Sequence, residues 1–172
     1  VIANRAIELL DGQKGDYSVV HPNDHVNYGQ STNDVIPTAG KMTALRLLKN
    51  LKKELYRLYD ALVEKSKEFD HVIKMGRTQM QDAVPIRLGA EFGAYSRAIT
   101  RDISRLERAM TEMYTINLGG TAVGTALNAN PRYVNALAPT LSAICGLPLL
   151  KAADLIDGTQ NLDPFAYVSA SL

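Results

Sequence analysis

Gly76-Arg77-Thr78-Gln79-Met80-Gln81-Asp82-Ala83-Val84-Pro85 is a polar stretch with a glycine at one end and a proline at the other. Segments with helical hydrophobic spacing flank it. Upstream, Leu48, Leu51, Leu55, Leu58 and Leu62 fall three and four apart, with Lys49, Lys52, Lys53, Glu54 and Arg57 on the remaining faces. Downstream, Leu88, Phe92, Tyr95, Ile99, Ile103, Leu106, Met110 and Met113 repeat the pattern, with Arg97, Arg101, Asp102, Arg105, Glu107 and Arg108 outward. Such spacing gathers apolar side chains on one stripe of a helix, and packing against a neighbour explains these stripes without any ligand. Two helices this long, joined by a short turn, are expected to lie antiparallel. The fold class is therefore all-α, built from long antiparallel helices of a helical bundle. The turn between them is expected to hold hydroxyl, amide and guanidinium groups on a rigid frame.

Working outward, the upstream helix is expected to run from about Ser31 to about Phe69. Ser31, Thr32 or Asn33 can cap it, and Pro37 is expected in its first turn, where a missing N–H costs little. Before it, Val1 to Leu10 reads as a helix closed by Asp11-Gly12-Gln13-Lys14-Gly15-Asp16, and His21 to Asn27 as a polar loop. The downstream helix ends before Asn117-Leu118-Gly119-Gly120-Thr121-Ala122-Val123-Gly124-Thr125-Ala126-Leu127-Asn128. That loop can hold an anion on backbone N–H groups, or simply reverse the chain. A helix follows from Pro131 to about Cys145, then a loop over Asp154 to Gln160, and a last helix from Asp163.

Composition narrows the function. A chain of 172 residues can bury one sizeable core. A net charge of +1 with interleaved signs gives no electrostatic case for nucleic acid or a membrane surface. The lone Cys145 excludes an internal disulfide and a multi-cysteine zinc site, and a reducing, cytoplasmic setting is expected. No apolar run approaches the roughly 20 residues that span a bilayer. Both ends fall inside helical patterns, so the chain is expected to be cut from something longer.

Ser31, Thr32, Asn33, Thr78 and Gln79 are uncharged hydrogen-bonding groups expected at two helix starts. Hydroxyls, amides and exposed N–H groups there suit a carboxylate. Arg77 can pair with such a carboxylate or brace its own turn through Asp82, and bracing is the stronger expectation. Asp34 and Asp82 need no catalytic role, since an acidic residue belongs near a helix start. His21 and His25 have helical metal-ligand spacing, but Pro22 and Asn23 between them argue against a helix and against a metal. No Ser-His-Asp set, phosphate loop or dinucleotide fingerprint is present. The residues by themselves give an all-α bundle with polar loops suited to a small dianion.

Three loops together resemble the fumarase/aspartase superfamily. His21 to Asn27 with Gln30-Ser31-Thr32-Asn33-Asp34 resembles its first signature region, Gly76 to Pro85 its second, and Gly119 to Asn128 the Gly/Thr loop that follows. Order and spacing agree over essentially the whole chain. Within the superfamily the aspartate ammonia-lyase branch is the most similar. Fumarases usually read Ser-Ser-Asn-Asp at Ser31-Thr32-Asn33-Asp34, His at Gln79, and Ala-Thr-Pro at Ala83-Val84-Pro85. Ala126 departs from the usual glycine, and Tyr28-Gly29 from the usual pair before Gln30.

The resemblance implies elimination of ammonia from L-aspartate to give fumarate, through an aci-carboxylate intermediate. It implies that Ser31, Thr32 and Asn33 bind one substrate carboxylate and that Thr78 and Gln79 line the other side. The segment with His21, Asn23 and Asp24 is similar to a secondary anion site of fumarases. No cofactor and no metal are implied. The family's base is a Ser on a mobile loop containing Met-Pro-x-Lys-x-Asn, a context that Ser169 and Ser171 lack. No catalytic residue is therefore expected in this chain, and the isolated segment is expected to be inactive. The resemblance further implies a homotetramer, each active site drawing its three regions from three subunits. Residues 1–172 then correspond to the end of an N-terminal domain and the first part of a central helical-bundle domain. The alternatives are a fumarate hydratase and, from another class, a non-catalytic helical oligomerisation module.

Overall fold

The computed structural model describes residues 1–172. Helices dominate it: α1 (Ile2–Leu9), α2 (Thr32–Glu68), α3 (Leu88–Met113), α4 (Pro131–Cys145), α5 (Leu155–Gln160) and α6 (Asp163–Ser171). Strands β1 (Ile73–Thr78) and β2 (Gln81–Arg87) form an antiparallel hairpin, and the two-residue strands β3 (Thr115–Ile116) and β4 (Leu150–Lys151) pair in parallel. The all-α fold class is thus observed. No helix is long and apolar enough to cross a membrane. The residues group into two compact units, Val1–Met42 with Tyr114–Leu162, and Thr43–Met113 with Asp163–Leu172.

In the first unit, Ala3 and Ile7 of α1, Ile116 of β3, Val134 and Ala138 of α4, and Leu149 and Ala152 around β4 are buried. The expected helix Pro131–Cys145 forms with those bounds. Asn130 caps it, its side-chain oxygen accepting from the Arg132 amide at 2.9 Å, and Gly146 ends it at φ 66°. Two expected loops are in fact helical. Residues 155–160 form α5 because Asp154 Oδ1 accepts from the amides of Ile156 (2.8 Å) and Asp157 (3.2 Å). Pro22–Val26 winds into one π-helical turn because the His21 imidazole caps it and Pro22 fits the opening position.

α2 belongs to the first unit at its start and to the second from Thr43 onward. Its 37 residues make it about 55 Å long at the α-helical rise. Pro37 lies deeper than expected, in the sixth position rather than the first turn. It therefore removes one intrahelical donor, the one that would reach the Asn33 carbonyl. The Asn117 side-chain amide supplies a replacement, donating to Asn33 O at 3.0 Å.

In the second unit, α2 and α3 run antiparallel, as their stripes require. Lys52 Nζ meets Glu107 at 3.1 Å at one end of the contact, and Ser66 Oγ donates to the Gly89 carbonyl at 2.7 Å at the other. Phe69 and Phe92 stack with ring centroids 5.6 Å apart. α6 packs on α3, so Ile103, Leu106, Met110 and Met113 are buried, together with Val168 of α6. α2 is covered less completely: Leu45 and Leu48 are buried, whereas Leu51 and Leu58 are exposed.

The turn expected over residues 76–85 is instead the β1–β2 hairpin. Apolar residues recur at every second position, Ile73 and Met75 in β1 and Val84 and Ile86 in β2, which is the strand period. The pairing shifts register between Met75 and Arg77, at Gly76, where a Cβ would sit 2.8 Å from the Val84 carbonyl oxygen. Thr78, Gln79 and Asp82 consequently lie on the hairpin rather than at a helix start, as α3 begins only at Leu88.

Gly89 lets α3 approach the end of α2. A Cβ there would lie 2.7 Å from Asp70 Cα and 2.8 Å from its nitrogen, and closer still to the Ser66 carbonyl oxygen. Replacing glycine with alanine in a helix ordinarily gains up to about 1 kcal/mol. Here the clash is with backbone, and overpacking of this kind costs about 1–3 kcal/mol. Gly89→Ala is therefore expected to lower the urea midpoint of the chain; an unchanged or higher midpoint would show that the two helices are not in close contact.

Candidate functional site

Ser31 precedes the first helical residue of α2. Its Oγ accepts from the Asn33 amide at 3.2 Å, which makes Ser31 the cap among the three residues able to serve. Asp34 reaches back, its Oδ1 accepting from the Ser31 amide at 3.0 Å, the reciprocal bond of a capping box. Asp34 is 0% exposed, and its second oxygen is also engaged. Oδ2 accepts from the amides of Gly119 (3.2 Å) and Thr121 (2.8 Å). One buried carboxylate thus joins the start of α2 to the loop over residues 119–128. A buried carboxylate is tolerated only with such compensation.

Those bonds decide what remains for a ligand. The Ser31 and Asn33 amides are taken by the chain itself, and the Asp34 amide donates to the Ser31 carbonyl at 3.3 Å. The Thr32 amide remains, with the Thr32 hydroxyl and the Ser31 hydroxyl proton, since Ser31 Oγ uses only its acceptor side in the cap. Asn33 reaches across the gap, one proton of its Nδ2 group donating to the Ala122 carbonyl at 2.7 Å and the second left over.

The facing loop is bent by backbone conformations that L-residues seldom adopt. Thr121 (φ 60°), Ala126 (φ 56°) and Asn128 (φ 65°) are left-handed, as are Gly119 and Gly124. Gly124 has no alternative, since a Cβ there would sit 2.5 Å from both Ile156 N and the Leu155 carbonyl oxygen. For β-branched Thr121 the conformation is costly, and such strain gathers at functional sites. Between the two segments lies a cleft of about 430 Å³, with Tyr28 to Ser31 on one wall and Thr121, Ala122, Val123 and Thr125 on the other. Next to it, a Cβ on Gly29 would lie 3.5 Å from the Tyr133 ring. Burial pushes the Tyr133 phenol above its ordinary range, and the negative charge of Asp34 adds to the effect.

Thr78 and Gln79 belong to the second unit. Thr78 pairs with Gln81, and Gln79 (φ 50°) and Met80 (φ 61°) make the two-residue turn, a geometry usually given to Asn-Gly. Met80 is 95% exposed. Arg77 braces the tip, as expected: its Nε donates to Asp82 Oδ1 at 3.0 Å, in an exposed pair worth at most about 1 kcal/mol.

His21, Asn23 and Asp24 share the π-helical turn. His21 Nδ1 accepts from the amides of Asn23 (3.2 Å) and Asp24 (3.1 Å), so in this arrangement that nitrogen carries no proton. Its 3.2 Å approach to Asp24 Oδ2 is then not an ion pair. His25 Nδ1 accepts from the His21 amide at 2.8 Å. Both Nδ1 atoms are spent on backbone.

The comparisons with known proteins follow the same segments. The family described as lyase matches residues 1–172. This chain belongs to the fumarase/aspartase superfamily of lyases. Aspartate ammonia-lyase from Bacillus subtilis (strain 168) is 52% identical over 172 residues, covering 100% of this chain and 36% of that protein. Mitochondrial fumarate hydratase from Rattus norvegicus is 43% identical over 173 residues, covering 100% of this chain and 34% of that protein. Among solved structures, fumarate lyase:delta crystallin from Brucella melitensis bound to cobalt superposes with a TM-score of 0.93 at 45% identity, covering 99% of this chain and 37% of that one. The chain thus spans little more than a third of the length of these superfamily members.

Against this superfamily background, Asn117 is a residue the sequence did not single out. Its Nδ2 links the Asn33 carbonyl to Thr159 Oγ1 at 3.1 Å, at sequence separations with no local signal. Asp34 did carry a signal, an acid three residues after a Ser cap, but only for its local bond. Ser31→Ala should leave the Asn33 amide without its cap and cost about 1 kcal/mol, read in urea unfolding. A loss below a few tenths would contradict the capping geometry.

Proposed function

We propose that this chain contributes to an aspartate ammonia-lyase, which converts L-aspartate to fumarate and ammonia. The observation that carries this reading is the Ser31–Thr32–Asn33 turn beside the cleft of the 119–128 loop, with a free amide and two hydroxyls. In this reading Ser31, Thr32 and Asn33 hold one substrate carboxylate, and Thr78 and Gln79 line the opposite side of the site. A base removes the proton from the carbon beside a carboxylate. The electron pair moves into that carboxylate, giving the aci-carboxylate, and then returns to expel ammonia. Fixed donors speed the reaction only so far as they bind this charge-rich form more tightly than aspartate. No side chain of this chain is assigned as the base, so residues 1–172 alone are expected to turn over nothing. The base belongs to a loop elsewhere in the longer polypeptide.

The same reading makes the assembly a homotetramer in a cytoplasmic setting, each site combining the family's three signature regions from three subunits. The exposed Leu51 and Leu58 and the projecting Met80 supply apolar surface for such contacts. Residues 1–172 would form the end of an N-terminal domain and the beginning of the central helical one. His21, Asn23 and Asp24 are assigned as a secondary anion site only through the Asn23 side-chain NH₂ and the free His21 ring edge, because the exposed Asp24 carboxylate repels anions.

A fumarate hydratase is the second reading, favoured by the 43% identity to the rat enzyme. Thr32, Gln79 and Val84 weigh against it. A chimera separates the two. The stretch of the Bacillus subtilis enzyme that matches this chain is replaced by residues 1–172, and ammonia release from aspartate is measured beside dehydration of malate. The expected outcome is turnover of aspartate alone. Turnover of malate alone would transfer the assignment to the hydratase, and an assembled chimera that processes neither would refute both.

A further inference from the structure

We propose that Asp34 is a positioning residue of the substrate site, holding Thr121 in its left-handed conformation and so fixing the spacing between the two walls of the cleft; the kinetic part of this rests on the lyase reading above. Three amides converge on one carboxylate. The Ser31 amide approaches Oδ1, and the Gly119 and Thr121 amides approach Oδ2. Ser31 lines the α2 wall and Thr121 the loop wall, and Gly119 lies two residues before Thr121 in the same loop. The Thr121 bond is the shortest of the three at 2.8 Å, and Thr121 is the β-branched residue at φ 60°. A β-branched side chain leaves that conformation unless the surroundings hold it there. The Gly120 and Ala126 bonds close the loop on itself but do not bind the Thr121 amide. Asp34 is therefore the group that offsets the strain. It is buried and does not line the cleft, so it acts on a ligand only through Ser31 and the loop.

Its replacements differ in what they release. Asp34→Ala removes all three acceptors. Asp34→Asn leaves one acceptor oxygen, enough for one wall, while its NH₂ faces a backbone N–H on the other. Glycine adopts φ near +60° without strain. Thr121→Gly should therefore restore the loop where the carboxylate is missing. A purely structural Asp34 would lower stability, leave the kinetics of assembled enzyme unchanged and give no rescue by glycine.

The test uses the chimera together with the 172-residue chain. In assembled chimera, Asp34→Ala is expected to lower kcat/KM for aspartate by about ten- to a hundred-fold, as small misplacements do, mostly through KM. Asp34→Asn should fall between it and the parent. Adding Thr121→Gly to either should recover most of the loss. Unchanged kcat/KM in Asp34→Asn, or no recovery with glycine in either background, overturns the proposal while the lyase reading stands. An inactive parent chimera removes the lyase reading but not the proposal, which is then decided on the chain. There, Thr121→Gly should lower the urea midpoint when Asp34 is present and raise or spare it in Asp34→Asn; equal effects in both backgrounds overturn the coupling.

Discussion

The Asp34 carboxylate, fully buried with three backbone amides around it, is the constraint on which the site region depends. Helix α2 must begin somewhere, and the positive end of its dipole needs a negative partner. The chain supplies its own. In doing so it uses most of the first-turn donors that a substrate would otherwise find, and it ties to α2 a loop whose glycines and left-handed residues have no regular secondary structure to hold them. Asn33 and Asn117 extend the tie in both directions, one to the Ala122 carbonyl and the other to Thr159. Pro37 belongs to the same arrangement, because the donor it lacks is what frees the Asn33 carbonyl for Asn117.

The second unit handles its polar segment differently. Gly76 and the two-residue turn at Gln79 and Met80 project Thr78 on a braced hairpin. The hairpin is anchored to α3 where Lys74 Nζ reaches Glu91 at 2.8 Å. Thr78 and Gln79 thus have a local scaffold of their own, separate from the clamp that shapes the Ser31 turn.

Much of this could be read from residue spacing. Helices α2 and α3 follow from three- and four-residue apolar periods and from the cap at Ser31, and α4 and α6 from the helical segments that open at Pro131 and Asp163. What stayed hidden has physical reasons. The hairpin was masked because a polar stretch with Gly and Pro at its ends suggests a turn, while the strand alternation lies partly outside it, at Ile73 and Ile86. α5 was missed because six residues carry too little periodicity to register, although Asp154 was a fair start signal. The positions of Ser31, Thr32 and Asn33 on one helical turn were legible. The long-range bonds of Asp34 were not, because nothing local distinguishes an acid that caps its own helix from one that also grips a loop more than eighty residues away.

Amide hydrogen exchange, residue by residue, at Ser31, Gly119 and Thr121 tests the account most directly. If the buried carboxylate accepts from all three, their amides should exchange as slowly as those in the interior of α4, although none of the three has a partner within a helix or strand. Exchange at Gly119 and Thr121 as fast as at an exposed loop amide would mean that Asp34 does not grip the loop, and the account of how the cleft is shaped would fail.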